Sequence, residues 1–585
     1  MGIANFFGKN ALAAHQVLNG MSTETLSALL SGQTVGIAFD RHACATAEGR
    51  WTTSLAVDLA ARLYPRLAIF PIGESDVATR AFADELKAAA LAINPALELH
   101  SQQRRGSHTV VVGSTPLSGK VASLVYAGSS GWVAAISPDT PMRSGRSANP
   151  IGAGAAACFA MANIFRAVFK AHLPAGEADS QFALSFFDYK RRDVDWGAGG
   201  GPALEDVGID LGETIIAGLG AIGNAAVWTL ARVPRLRGAL ELVDHQKVTL
   251  SNLQRYVLTN QTHANGTVGK ALRATEALRS GHPPGASALV VTFHEMCWGH
   301  YLRKRNDFRI TRLATAFDTI GDRIAAQASL PARLLNAWTQ LGDLGVSRHL
   351  EFGEQPCVGC LYIPKGGGKS DAETIGENLG FPGAPDEIKQ LLHSNAPIDE
   401  QFIREVARRR NILAVDKLDV LLRFVGVSLR EFYNEAFCGG VILELGGTVD
   451  GSAGRVEAPM AFQSALAGIM LAAEIVIDAA GFRPEAQRSS PPTRTVIDLL
   501  RPLAPILEPP IGRRSSGCLC NDDDYVSAWN MKFGPDSSRT KSQRDPRAVE
   551  SPDLVELPRP NGVLRLYRML AEFIGGNKKG NHPSA

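Results

Sequence analysis

The 585-residue sequence predicts an α/β protein with two doubly wound parallel sheets in tandem. Two observations carry this. Short apolar runs alternate with helix-periodic segments, the grammar of parallel sheets covered by helices. The same order of segments is then repeated in the second half. In the first half, Thr34–Phe39 reads as a strand, 53–63 as a helix and Leu67–Ile72 as a second strand. Strand candidates follow at Thr109–Gly113, Ser123–Tyr126 and Trp132–Ser137, then a small-residue helix over 153–172 and a strand near Ala183–Phe187. In the second half, Thr214–Ala217, 222–233 and Ala239–Val243 form strand, helix and strand. Ala288–Phe293 and Arg312–Phe317 continue as strands, and 460–480 is the closing helix. The expected domains are 1–195 and 196–585.

Composition narrows the class. A hydrophobic fraction of 45% belongs to a globular chain, and 60 Lys+Arg against 58 Asp+Glu gives no bulk affinity for nucleic acid or an anionic membrane. The first residues lack a basic region followed by a sustained apolar stretch, so no secretory signal is expected. Gly2 is followed by Phe6 where a myristoylation signal wants Ser or Thr. The apolar runs Ile151–Phe169 and Ala465–Gly481 are interrupted by Asn163 and Arg166, and by Glu474 and Asp478, and read as buried helices rather than membrane spans. Eight cysteines are too few for a disulfide scaffold. The expected setting is a reducing cytoplasm, where cysteine clusters suggest metal or catalysis.

Between the second sheet and its closing helix lies an insertion over roughly 364–440. It opens on the glycine loop Lys365–Lys369 and has helical segments near 385–393, 400–411 and 416–425. A linker rich in Ser, Pro, Arg and Asp is expected over 535–562, followed by an amphipathic helix over 563–575.

The segment Gly218-Leu-Gly220-Ala-Ile-Gly223 is a G-x-G-x-x-G loop between a strand and a helix. Its glycines permit a tight turn and close approach of phosphate to backbone N–H groups at a helix N-terminus. Asp244 ends the next strand, where an acid can bond ribose hydroxyls. These features fit any dinucleotide-binding fold of the Rossmann type, an NAD(P)-dependent oxidoreductase included. The stretch beginning at Asp244 is more specific: Asp244-His-Gln-Lys-Val248-Thr-Leu-Ser251-Asn252-Leu253-Gln-Arg255-Tyr256, then Lys270, then Asp318 with Arg323 five residues on.

This ordered set resembles the signature of the ThiF/MoeB/E1 superfamily of adenylating enzymes. The resemblance covers about 205–365 well and 440–520 loosely. It implies ATP and Mg²⁺ as ligands and adenylation of the C-terminal carboxylate of a ubiquitin-like protein. Under it, Gly218, Gly220, Gly223, Asp244, Asn252, Arg255, Lys270 and Asp318 line the nucleotide site. Arg255 and Lys270 bring positive charge to the phosphates, and Asp318 holds magnesium. The carboxylate nucleophile is already ionised, so positioning and charge matter more than a general base. Gln246 and Tyr256 depart from the pattern, which often has a second acid and usually a glutamine there.

Many proteins of this resemblance hold a structural zinc on two cysteine pairs. Cys357-Val-Gly-Cys360 and Cys518-Leu-Cys520 would make a closed four-thiolate site. Cys438, followed by Gly439-Gly440, is positioned as the cysteine that E1 enzymes use to form a thioester. Cys44, Cys158 and Cys297 read as small apolar side chains.

The first half has no glycine loop: its first strand runs into Asp40-Arg41-His42. Its closing helix, beginning at Pro150, nevertheless resembles that of a ThiF-type domain. The reading is two Rossmann-like adenylation domains, inactive then active, forming a pseudo-dimer with a helical insertion that bears the catalytic cysteine. Arg41, Arg143 or Arg146 are candidate donors to the active site. The arrangement resembles activating enzymes of bacterial ubiquitin-like conjugation operons, including antiphage (Bil-like) ones. That implies a ubiquitin-like protein and an E2-like enzyme as partners, with the chain a monomeric pseudo-dimer or a homodimer. The competing readings are a sulfur-carrier adenylyltransferase without a stable thioester, the NAD(P) oxidoreductase, and a scaffold that binds nucleotide without catalysis.

Overall fold

The computed structural model describes residues 4–18, 21–192, 201–283, 285, 287–305, 307–340, 343–362, 371–383, 386–437, 441–445, 459–483, 493–502, 513–515 and 517–534. The loop Lys365–Lys369, Cys438, the linker over 535–562 and the helix over 563–575 lie outside the described residues.

Two sheets form in tandem, and they share one connectivity. The first contains β1 (Val35–Phe39), β2 (Arg66–Pro71), β3 (Glu98–His100), β4 (His108–Val112), β5 (Ser123–Ser130), β6 (Val133–Ser137), β7 (Phe182–Ser185) and β8 (Arg191–Arg192). The second contains β9 (Ile209–Ala217), β10 (Leu236–Val243), β11 (Leu289–His294), β12 (Arg312–Thr315), β13 (Arg333–Thr339), β14 (Leu344–His349) and β15 (Arg494–Ile497). Their orders are 3-2-1-4-5-6-7-8 and 11-10-9-12-13-14-15. In each, the first strand of the half lies inside the sheet. The next two strands extend one side, and the fourth returns to its other side.

The sheets are not wholly parallel. β3 to β5 and β11 to β13 are parallel, whereas β6, β7 and β8, and likewise β14 and β15, pair antiparallel. Connection length decides this. Only Gly131 and Trp132 separate β5 from β6, and only 340–343 separate β13 from β14, too few residues for a parallel crossover.

Each half closes with a 19-residue helix between its last antiparallel strands, Pro150–Val168 in the first and Ala461–Ala479 in the second. Both are apolar on every side, so burial on every side is the stable outcome. By length and composition both could cross a membrane, but their apolar windows are 89% and 100% buried within the protein. They pack on each other across the two halves, with the rings of Phe165 and Phe462 5.5 Å apart. Glycine permits close approach there: a Cβ on Gly154 of the first helix would lie 2.9 Å from the side chain of Ile469 on the second.

Polar groups join the halves too. Buried Arg166 pairs with Asp179 at 2.6 Å and donates to the carbonyls of Leu499 and Arg501 at 2.7 and 2.8 Å. Glu474 on the second closing helix accepts from Arg348 and Arg483, and first-half Tyr189 lies against the Arg348 guanidinium.

The helices of the insertion, Asp371–Leu379, Asp386–Ser394, Glu400–Arg409, Val415–Leu422 and Leu429–Phe432, gather around a small core of their own that includes Leu379, Ile388, Phe402, Val406 and Phe432. The three helical segments expected there are present. The N-terminal helices Phe7–Val17 and Thr23–Ser31 carry no expectation from the sequence. Phe7–Val17 packs against the turn Leu250–Gln254 and against Val441–Glu444.

Burial alone would push the Glu474 carboxyl up, but the two arginines outweigh it and hold its pKa at about 2, against an ordinary 4.5. A depressed carboxylate contributes stability that is full above the unfolded-state value and is lost as pH falls through the folded one. Glu474→Gln should therefore be destabilised at neutral pH by about 3–5 kcal/mol, the cost of leaving buried arginines unpaired. The gap in urea midpoint between wild type and variant should shrink as pH falls from 4.5 towards 2. A gap that stays constant over that window would show that the ion cluster does not stabilise the fold.

Candidate nucleotide site

The C-terminal ends of β9, β10 and β12 meet where the strand order reverses, the place at which open α/β sheets form ligand crevices. Gly218 follows β9 with φ +88°, and a Cβ on it would lie 2.8 Å from the carbonyl oxygen of Ala316 at the end of β12. A Cβ on Gly223 would lie 2.1 Å from the carbonyl oxygen of Gly218. Both positions need glycine, one for its dihedral and the other for its packing. Gly220 is different. It precedes the helix Ala221–Leu230, no side chain caps that helix, and the nearest group to a Cβ there is the Tyr256 hydroxyl at 3.6 Å. The first-turn N–H groups thus face a position that suits an anion.

Asp244 lies one residue beyond β10. Its carboxylate accepts from the N–H of Leu219 at 2.7 Å and from the N–H of Gln246 at 2.8 Å, tying the glycine loop to the next segment. A carboxylate has further lone pairs for a ribose hydroxyl. Asn252 is buried in the turn Leu250–Gln254, where its side-chain oxygen accepts from the N–H of Thr249 at 3.0 Å. Its position here is that of a brace for the turn. Arg255 ends the same turn and is half-buried.

Lys270 opens the helix Lys270–Gly281 and is buried. Its ammonium donates to the Gln246 side-chain oxygen and lies 5.3 Å from the centre of the Tyr256 ring. Burial works against its charge, but Tyr256, Asp244 and Asp318 outweigh that and raise its pKa. Gln246 and Tyr256, the two departures from the expected pattern, are thus the groups in contact with the lysine. Asp318 follows β12 and is exposed. Arg323 is buried beneath it, donating to the carbonyls of Phe317 and Ala337 and to Asn336. It fixes the segment that carries Asp318.

The equivalent position in the first half is closed by the protein itself. Asp40 follows β1, and its carboxylate accepts from the N–H groups of Ala43, Ser114 and Thr115 at 2.8, 2.8 and 3.1 Å. Gly113 has φ +125°, and a Cβ there would lie 2.3 Å from the Asp40 carboxyl carbon. The protein's own carboxylate thus occupies the anion position at this switch point. Arg41 is held within its own half by Asp76 at 3.2 Å, and Arg143 and Arg146 are exposed. The first-half arginine that crosses to the Asn252 turn is Arg62, which no sequence signal marks.

Cys357, Cys360, Cys518 and Cys520 converge, with all four Sγ atoms within 4.8 Å of one another. Cys357 and Cys518 are 3.2 Å apart, and Cys360 and Cys520 3.4 Å. Sulfurs around a tetrahedral zinc stand about 3.8 Å apart, given Zn–S of about 2.3 Å, so the four thiols fit that ion with no open position. A bound zinc would be structural: it would tie the segment after β14 to the segment after β15. The helix Asp523–Phe533 docks beside it, through Trp529 to the carbonyl of Pro331 at 3.0 Å and Lys532 to that of Ser329 at 2.9 Å. Cys44 and Cys158 are buried, and burial raises both thiols. Cys297 is exposed, contrary to the expectation of a packed side chain, because it lies in the turn before the helix Trp298–Arg305.

Fold and site together define a tandem pair of doubly wound α/β domains, with the glycine loop at the second switch point and the Asp40 carboxylate filling the first. The chain belongs to the family of the uncharacterized protein y4jF of Sinorhizobium fredii, with 43% identity over 539 residues, 91% of this chain and 98% of that one. Residues 38–170, which hold β1 to β6 and the first closing helix, match the model of Prokaryotic E2 family C. Among solved structures, E. coli MccB with MccA-N7isoASN aligns at 14% identity and TM-score 0.33, over 53% of this chain and 67% of that one. E. coli MccB with ATP aligns at 14% identity and TM-score 0.32, over 54% and 68%.

The cysteine cluster makes one prediction. Purified protein should carry one zinc ion per chain, released in step with modification of four thiols as followed by a colorimetric chelator. Cys360→Ser should lower zinc content and expose the helix Asp523–Phe533 to proteolysis. Full zinc content in that variant would exclude Cys360 as a ligand.

Proposed function

We propose that the second half binds Mg·ATP and adenylates the C-terminal carboxylate of a ubiquitin-like protein. The observation that carries this reading is the convergence of the open glycine loop, Asp244, buried Lys270 and exposed Asp318 on one switch-point crevice. The carboxylate attacks the α-phosphorus of ATP, a phosphorus–oxygen bond forms, and the bond to the β-phosphate breaks as pyrophosphate leaves. The glycine loop and the helix behind it receive phosphate oxygens. Lys270 and Arg255 supply positive charge where the transition state spreads negative charge, and Asp244 orients the ribose. Asp318 would hold Mg²⁺, which supplies charge neutralisation on the phosphates when bound. A buried, charged lysine at the phosphate end favours this reading over a nicotinamide enzyme, whose chemistry uses no cation there.

In the same reading, residues 1–195 are an inactive adenylation-like half. The shared strand order and the closure by Asp40 support this. The Cys438 thiolate then attacks the acyl-adenylate, forming a thioester and releasing AMP, and an E2-like enzyme accepts the acyl group. The match of residues 38–170 to Prokaryotic E2 family C supports a conjugation setting, with the cytoplasm as its place. The antiphage role belongs to this proposal as an analogy.

Lys270→Met should slow carrier-dependent ATP–pyrophosphate exchange about 100-fold, as loss of a preorganised charge does. Tyr256→Phe should slow it by about tenfold with little change in melting temperature, since it removes only the hydroxyl. Incubated with Mg·ATP and a ubiquitin-like protein, wild type should form a thiol-sensitive conjugate, visible on non-reducing gels and by intact mass. Cys438→Ala should retain exchange and lose the conjugate. Exchange with no conjugate in wild type would favour the sulfur-carrier alternative.

A further inference from the structure

The closed first half still reaches the open site, through one side chain. Arg62 ends the helix Ala47–Ala61, and its side chain is fully buried. Asp58, one turn earlier, accepts from its Nε at 2.8 Å and from Nη2 at 3.0 Å. This bidentate pair neutralises the guanidinium and fixes its plane. The guanidinium also donates across the boundary between the halves: Nη1 to the carbonyl of Leu253, and Nη2 to the carbonyl of Thr259 at 3.0 Å. Leu253 lies between Asn252 and Arg255, and Thr259 lies three residues beyond Tyr256. One planar group thus grips the segment 253–259 at both ends. Only a guanidinium can satisfy a carboxylate and two separate carbonyls from one rigid plane.

We infer that Arg62, oriented by Asp58, is a positioning residue for the nucleotide site: the first half sets where Arg255 and Tyr256 stand relative to the glycine loop. The inference rests on the proposed function, since Mg·ATP is its readout. It also gives the closed half a role in the open half's chemistry.

Arg166 provides the control. It too is a buried first-half arginine, paired with an acid and donating to two second-half carbonyls, but those belong to Leu499 and Arg501 beyond β15. A merely structural role predicts the same behaviour for both arginines. The test compares full-length wild type, Arg62→Lys, the charge-balanced double variant Asp58→Asn/Arg62→Met, and Arg166→Met. For each, Mg·ATP affinity is measured by calorimetry and backbone hydrogen exchange is followed in a peptide covering 250–259. The double variant should bind Mg·ATP roughly tenfold more weakly, as displaced site residues do, with faster exchange in that peptide. Arg62→Lys, which keeps the charge and one donor arm, should fall between it and wild type. Arg166→Met should lose melting temperature while keeping wild-type affinity and wild-type exchange in 250–259. Equal loss of affinity in both arginine variants, or wild-type affinity in the Arg62 variants, would overturn the inference and leave the nucleotide reading standing. Wild-type protein that does not bind Mg·ATP would overturn both.

Discussion

The contact on which the rest depends is the packing of two apolar helices, Pro150–Val168 and Ala461–Ala479, against each other between the two sheets. Each helix is mostly apolar around its circumference, with its few charged groups paired inside the protein, so neither half could leave its own helix exposed. The contact turns two copies of one connectivity into a single body. It brings the helix Ala47–Ala61 of the first half beside the second, where Arg62 meets the Asn252 turn. The buried ions at the boundary, Arg166 with Asp179 and Glu474 with its two arginines, are satisfied as pairs, and removing one member leaves its partner buried and uncompensated.

The two switch points show how one framework is kept for different ends. In the second half, two glycines are required by backbone geometry and the third is left open beneath Tyr256. In the first half, the Asp40 carboxylate takes up the N–H groups of Ala43, Ser114 and Thr115.

Much of the fold was legible in the sequence, for physical reasons. Buried parallel strands are continuous apolar runs, so β1, β4, β10 and β12 stood out, and the closing helices were marked by long small and apolar runs with few polar interruptions. β13 and β14 did not stand out, because Asn336, Ser347, Arg348 and His349 break their apolar character and are buried through specific hydrogen bonds. The glycine loop and Asp244 follow from the spacing of a strand, a tight turn and a helix, whereas Lys270 and Asp318 were marked only by the family resemblance; the structure brings all of them to the same end of the second sheet. Arg62 was not: a single arginine at a helix end has no local pattern, and its partners lie 191 and 197 residues away. The role of Gln246 and Tyr256 was hidden for the same reason, since both act through contact with a lysine distant in sequence.

The central claim is that the second half activates a protein carboxylate with ATP. The most direct test is ATP–pyrophosphate exchange by the purified full-length chain with a ubiquitin-like protein, using the same carrier lacking its last residue as the control. Exchange is expected to require Mg²⁺ and the intact carrier C-terminus. Absence of exchange with the intact carrier, together with tight binding of NAD in place of ATP, would contradict it.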